Sequence, residues 1–307
     1  MGLKLSAWCK TDTGRKRERN EDGCLVAEPL GVYAVADGMG GHRGGAHASK
    51  LALEVLEREV ELRRRPPNPS ESVEVEDDFG AIGYVDTAEI PVVSPEDVLS
   101  GGHVSAKGLI YMAAQRASDA VFNASRRDPS LRGMGTTLTA MMVEEGFAYV
   151  VHAGDSRAYR LRAGRIEQIT EDHSWTREQV KAGMMTEDEA KSSEFRHIIT
   201  RSIGFERHVR LDAHQVDIST GDRFLLCSDG MSNYFEPAEL EGLMQEVEAA
   251  ELPERLVAMA NERGGDDNIT VVVVEVVSGA GSKKAGGGSE AEPDVGVYAD
   301  TLDERGG

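Results

Sequence analysis

The chain has 307 residues, 40 % of them hydrophobic, with a net charge of −20 and a pI of about 4.8. That length suits one large domain or two small ones, with enough apolar residues for a sizeable core. The acidity excludes a basic nucleic-acid footprint and a cationic membrane-binding face, and no run approaches the ~20 apolar residues of a membrane span.

Taken in chain order, the first element is a strand at 24–27, preceded by Glu21 and Asp22 in RNEDG. A second strand at 32–36 runs into AVADGMGGHRGG, residues 34–45, where Asp37 opens a glycine-rich stretch. GAHASKLALEVLEREVEL, residues 45–62, has near-helical apolar spacing. Residues 66–103 begin PPNPSES and carry nine Asp/Glu and no Lys or Arg. This is expected to be an acidic insertion, loosely packed or a partner-docking segment. A second helix is expected over 105–127. Strands follow at 138–143, 147–152, 158–161 and 166–169, the last two joined by a hairpin turn at Ala163-Gly164. Residues 172–200 read as small helices and polar loops. A strand at 223–227 precedes helices at 237–249 and 253–263, each with Pro in its first turn. The last strand spans 269–277, and eight glycines from Ser278 onward mark a disordered, acidic tail. Clustered strands with segregated helices indicate an α+β fold with mostly antiparallel sheet.

Cys9, Cys24 and Cys227 are odd in number and lack CxxC spacing, so neither a disulfide frame nor a zinc site is expected. MGLKLSAWCK holds no signal-peptide run, and the expected location is the cytoplasm.

The chemistry lies in where the carboxylates fall. Glu21 and Asp22, Asp37, Asp155, Asp229, and Asp266 with Asp267 all sit at the ends of apolar strands. A single aspartate there is usually a turn residue. Five such clusters can converge where a sheet gathers its strand ends at one rim. Converging carboxylates repel and protonate unless cations neutralise them. An all-oxygen set suits Mg²⁺ or Mn²⁺, and two such ions ~3.5–4 Å apart activate water and clamp a phosphoryl group. Arg17, four residues before Glu21, has the planar fork that matches phosphate; its spacing fits equally a solvated basic cluster with Arg15, Lys16 and Arg19.

RKRERNEDG, VADGMGGH, GMGTTLTAMM, VVHAGDSRAYRLR, FLLCSDGMS and GGDDNITVVVV occur in this order. Together they resemble the motifs of bacterial metal-dependent protein serine/threonine phosphatases of type 2C. The resemblance implies a four-layer α/β/β/α sandwich, two antiparallel sheets flanked by helices, spanning 1–277 with the insertion at 66–103 and a flap at 172–200. It implies hydrolysis of phosphoserine and phosphothreonine in proteins by water activated at a dinuclear Mn²⁺ or Mg²⁺ centre, reversing Ser/Thr kinase signalling. Phosphorylated proteins, including a cognate kinase or its substrates, are the implied partners, and the monomer the implied state.

Carried over by motif, Asp37 bridges the two ions, Glu21 and the Gly38 carbonyl hold one, and Asp229 and Asp267 hold the other. Asp22 hydrogen-bonds the bound waters, Arg17 grips the phosphate, and Asn268 fixes the local geometry. Asp155 with Asp229 supports a third, weaker ion. Thr136 packs under the site and can reach a ligand or water. Met39 stands where animal and plant relatives often carry a histidine proposed as the general acid. His42, three residues on, is one alternative acid, and a metal-bound water is another. Two other readings stay open: a phosphatase-like binding module without turnover, and a nucleotide phosphate loop at GMGGHRGG. Against the first, all the metal carboxylates are present. Against the second, the stretch lacks the Lys-Ser/Thr ending of a Walker loop.

Overall fold

The structure, a computed structural model, describes residues 3–40, 44–64 and 105–278. The insertion expected at 66–103, His42 and the chain beyond Ser278 lie outside the described residues. In chain order the elements are β1 (Leu3–Asp12), β2 (Asp22–Ala27), β3 (Val32–Met39), α1 (Gly44–Arg64), α2 (Ala106–Arg127), β4 (Gly135–Thr136), β5 (Leu138–Glu144), β6 (Phe147–Ala153), β7 (Arg157–Arg162) and β8 (Arg165–Gln168). There follow α3 (Trp175–Lys181), α4 (Glu187–Ser192), β9 (Asp212–Asp217), β10 (Arg223–Cys227), α5 (Asp229–Ser232), α6 (Pro237–Glu246), α7 (Leu252–Glu262) and β11 (Ile269–Ser278).

Two sheets form, in the orders β1-β11-β10-β7-β8 and β2-β3-β5-β6-β9, with the short β4 beside β3. The paired strands run antiparallel throughout. Both faces of each sheet are covered, and the two-residue strand period sorts side chains between them. On β10, Phe224 and Leu226 enter the layer between the sheets, while Leu225 and Cys227 face the helices. On β11, Val272, Val274 and Val276 point inward and Ile269, Val271 and Val273 outward. Helices α1 and α2 cover the outer face of the second sheet with Leu56, Val60, Ile110 and Val121. Helices α5, α6 and α7 cover the first with Met231, Met244, Leu252 and Leu256. Each fully buried large side chain contributes about 1.5–3 kcal/mol. The result is the four-layer α/β/β/α sandwich.

Local signals hold where turn chemistry is explicit. Ala163 and Gly164 have φ of 49° and 76°, as a type I′ hairpin needs, and Glu145-Gly146 makes the same turn between β5 and β6. Ser105 caps α2 by accepting from the Gly108 N–H. Strands β1 and β9 were not expected from the sequence. Both are edge strands, with the polar sequences LKLSAWCKTD and DAHQVD. An edge strand tolerates lysine and half-exposed faces, so it lacks the apolar run that marks a buried strand. Ser278, expected to begin the tail, instead closes β11 against Leu3.

Candidate metal centre

The strand period that builds the core also builds the site. Tyr33 and Val35 lie in the inter-sheet layer, so Asp37, two residues on, takes the same face of β3. Cys24 and Val26 lie there too, which places Asp22 on the inward face of β2. The pairing register sets Asp22 directly opposite Asp37. The same parity runs from Leu226 to Ser228 and from Val272 to Thr270. One end of the inter-sheet layer is therefore apolar and the other is lined by carboxylates and hydroxyls.

These carboxylates act strongly on one another. Burial pushes Asp37 well above the ordinary carboxylate range, reinforced by the charges of Asp22, Asp229, Asp155 and Asp267. Burial also raises Asp22 to about 7; hydrogen bonds from Thr270 and Ser228 oppose the rise, and the Asp229 and Asp267 charges assist it. Asp155 is raised by burial and then by Asp229, and Asp229 by burial and then by Asp267. Asp22 and Asp229 are half-buried as whole residues, but the Oδ1 atoms of Asp22, Asp155 and Asp229 are closed off from solvent and have no hydrogen-bond partner. Orphaned, buried carboxylate oxygens are what bound cations would satisfy. Among the described residues no three His, Cys, Asp or Glu side chains form a ready-made ligand set. The donors at this rim are carboxylate oxygens, which suit Mg²⁺ or Mn²⁺, whereas zinc favours nitrogen and sulfur.

The backbone around the carboxylates is fixed. The Asp37 N–H donates to Thr137 Oγ1 (2.9 Å), and its carbonyl accepts from the Thr137 N–H and from Thr136 Oγ1 (both 2.9 Å). Thr136 is fully buried, and its hydroxyl donates to the Asp37 carbonyl. Ser228 Oγ donates to Asp22 Oδ2 at 2.8 Å. Asn268 Oδ1 accepts from the Glu21 N–H at 2.8 Å, while its Nδ2 donates to the carbonyls of Thr13 and Arg19. At Gly38 a Cβ would meet the Gly45 carbonyl oxygen at 2.2 Å and that of Glu21 at 2.4 Å; at Gly45 it would meet Glu21 Oε2 at 2.2 Å. Only glycine allows β2, β3 and α1 to cross here.

Arg17 reaches the site. Its Nη2 lies 2.7 Å from Asp267 Oδ2, and with Glu18, Arg19, Glu21 and Asn268 it lines a cavity of about 220 Å³. Lys16 pairs instead with Asp266, which is exposed and outside the site.

The chain matches the protein phosphatase 2C family over residues 13–264. It belongs to that family. The serine/threonine phosphatase Stp of Listeria innocua is 31 % identical over 275 residues, covering 88 % of this chain and 96 % of that protein. The serine/threonine protein phosphatase PstP of Mycobacterium tuberculosis is 34 % identical over 276 residues, 90 % of this chain but 46 % of that longer protein. The crystal structure of the PstP catalytic domain in complex with two manganese ions matches with a TM-score of 0.70 at 31 % identity, covering 90 % of this chain and all of that one.

In this 2C phosphatase a buried polar chain leads from the carboxylates to the segment 172–200. Thr137 Oγ1 is 2.8 Å from Ser156 Oγ, Thr139 Oγ1 donates to the Ser156 carbonyl, and the same hydroxyl lies 2.9 Å from His152 Nδ1. The His152 ring stacks on His173 at 4.7 Å. His173 Nδ1 accepts from the Gly154 N–H (3.1 Å), one residue before Asp155, so Nε2 carries the proton and donates to Asp212 Oδ2 (3.1 Å). Its backbone bonds to Gly154 on one side and Thr200 on the other, closing both roots of the 172–200 segment. Ser228, Thr137, Thr270 and His173 were not singled out as site residues by sequence; the available signal was strand parity, which a continuous apolar run such as VVVV hides.

His173→Ala would leave the Gly154 N–H unpaired beside Asp155 and remove one of two partners of Asp212, which keeps Arg201 (2.9 Å). We expect a loss of about 2–3 kcal/mol, read as a lower urea midpoint at unchanged slope. An unchanged midpoint would show that water replaces the ring.

Proposed function

We propose that this chain hydrolyses phosphoserine and phosphothreonine in proteins, reversing a Ser/Thr kinase, with two Mn²⁺ or Mg²⁺ ions as cofactors. The observation that carries it is the group of buried, mutually repelling carboxylates with unpartnered oxygens beside the Arg17 cavity. The named activities of the Stp and PstP relatives, and the two manganese ions of the PstP structure, support it. In this reading Asp37 would be shared by the two ions, Glu21 and the Gly38 carbonyl would hold one, Asp229 and Asp267 would hold the other, and Asp155 with Asp229 would hold a third, weaker one. The bound ions supply Lewis-acid activation of water and positive charge against the phosphoryl oxygens.

The chain's own groups do the positioning. Asp22, anchored through Oδ2 by Ser228, offers Oδ1 to orient the attacking water. Arg17 exchanges its carboxylate partner Asp267 for the substrate phosphate, which it binds bidentately. Asn268 keeps Glu21 at the rim. Attack is direct, with no phosphoenzyme, in keeping with a sequence that offers no Cys or Asp nucleophile motif. Residues 1–277 form the catalytic domain, with 172–200 as its flap. It acts as a cytoplasmic monomer on phosphorylated proteins, including a cognate kinase or its substrates. Among the described residues no helix is long and apolar enough to cross a membrane.

The test is hydrolysis of a phosphothreonine peptide with Mn²⁺ and with EDTA. Turnover is expected only with the ion; full turnover in EDTA would sink the reading, and none with any divalent cation would favour a binding module. Deleting residues 68–100 is expected to spare hydrolysis of a small aryl phosphate. Loss of that activity with circular dichroism unchanged would place the deleted residues in the site.

A further inference from the structure

Two cysteines that stand 15 residues apart in the sequence meet in the fold. Cys9 lies on β1, the edge strand of the first sheet, and Cys24 on β2, the edge strand of the second. Leu5 and Ala7 pack into the inter-sheet layer, so Cys9 shares their face of β1. Cys24 packs into the same layer from β2. The two edge strands come within 8 Å of each other, Cα to Cα. Hydrogen bonds on either side of the pair, from Asn20 Nδ2 to Thr11 Oγ1 (2.8 Å) and from the Ala7 N–H to Glu28 Oε1 (3.1 Å), hold β1 alongside β2 over the stretch where Cys9 and Cys24 stand. All three cysteines are free; Cys9 is exposed, Cys24 half-buried and Cys227 buried.

We propose that Cys9 and Cys24 are a reversible dithiol switch, which hydroperoxides close into a disulfide linking the edges of the two sheets. Cys9 is the exposed member of the pair and so meets a hydroperoxide first, and the neighbouring Cys24 thiol lowers it against the effect of burial. An exposed, partly ionised thiol next to a second thiol is the arrangement on which peroxide sensing depends. The Cys9 thiolate attacks the outer oxygen of the hydroperoxide. The O–O bond breaks, the alkoxide leaves and takes a proton as alcohol, and Cys9 becomes a sulfenic acid, oxidised by two electrons. Cys24 sulfur then attacks the Cys9 sulfur, and the sulfenic oxygen departs as water with the Cys24 proton. A dithiol reductant reverses the bond by exchange. Cα atoms about 4.4–6.8 Å apart are needed. Among the described residues β1 pairs with β11 and β2 with β3 on one side alone, so neither ladder has to break for the two edges to approach to that spacing.

The proposal is tested on the full chain, reduced, exposed to an alkyl hydroperoxide, then alkylated in denaturant and mapped by mass spectrometry. The expected product has lost two hydrogens, with Cys9 joined to Cys24 and Cys227 still alkylated, and dithiothreitol restores it. Cys24→Ser should instead leave a sulfenic acid on Cys9 that a 1,3-dione traps. Cys9→Ser should slow oxidation about tenfold or more, and Cys227→Ser should change nothing. Sulfinic or sulfonic acid on Cys9 with Cys24 still alkylated, a disulfide between two chains, or three intact thiols would each overturn it. Hydrolysis of an aryl phosphate by reduced Cys9→Ser is expected to match the unsubstituted chain, so failure of the switch is distinguishable from failure of the phosphatase reading.

Discussion

Asp37→Asn is expected to abolish metal-dependent hydrolysis of a phosphothreonine peptide and, in EDTA, to make the protein more stable. Asp37 faces the charges of Asp22, Asp229, Asp155 and Asp267 and sits directly across the strand pair from Asp22. Without cations that arrangement is repulsive and buried, so removing one charge relieves it by about 1–3 kcal/mol near pH 8. The amide is nearly the same shape and keeps the backbone bonds to Thr136 and Thr137. It cannot bridge two cations, because one of its two heads is a hydrogen-bond donor. The ions contribute several kcal/mol to the transition state, so turnover should fall on the order of a thousandfold or more. Three measurements separate the effects: a higher melting temperature in EDTA, a lost stabilisation by Mn²⁺, and lost hydrolysis. A variant that melts lower in EDTA would refute the charge-crowding argument even if it were inactive.

The second large effect is the dependence of metal-free stability on pH. Asp22 titrates at about 7 in the folded protein, raised first by burial, and Asp37, Asp155 and Asp229 are raised for the same leading reason. In the unfolded chain all of them ionise near 4. Between those limits the folded state holds more protons, so the unfolding free energy falls as pH rises. The contribution is fully present below about pH 4 and lost as pH passes through the folded values. His152, which burial lowers to about 3, opposes this by about 0.4 kcal/mol, because in the unfolded chain it is still half protonated at pH 6.5 and loses that proton by pH 8. In EDTA the protein should therefore be less stable at pH 8 than at pH 6.5, by about 1 kcal/mol from Asp22 alone and more from its neighbours. Mn²⁺ competes with those protons, so its stabilisation should be larger at pH 8. Equal Mn²⁺ shifts at both pH values, or greater metal-free stability at pH 8, would contradict this.

How far the site could be read from sequence depended on the neighbourhood of each residue. Asp37, Asp229 and Asp267 were legible because each stands at the end of a strongly apolar strand, where a carboxylate is conspicuous. Arg17 was ambiguous among four basic residues; the structure separates it from Lys16, which turns away to Asp266. Ser228, Thr137 and Thr270 were invisible because both faces of their strands are buried, and a doubly covered strand has no polar face to count from. Strands β1 and β9 escaped for the opposite reason: at a sheet edge, solvent relaxes the demand for apolar residues. The meeting of Cys9 with Cys24 needed both facts together, an unrecognised edge strand and its stacking on another.

The glycine crossing at Gly38 and Gly45 bears on how the centre fills and empties. Three chain segments are pressed together with no room for a Cβ, so packing constrains their relative placement. Small zinc domains differ, since there binding and folding are one event. Here the glycine crossing is part of a large packed core, so folding of the chain does not have to wait on an ion. Occupancy then follows the free concentration of divalent cation from moment to moment, which makes cation supply a control on turnover that requires no change in the amount of protein.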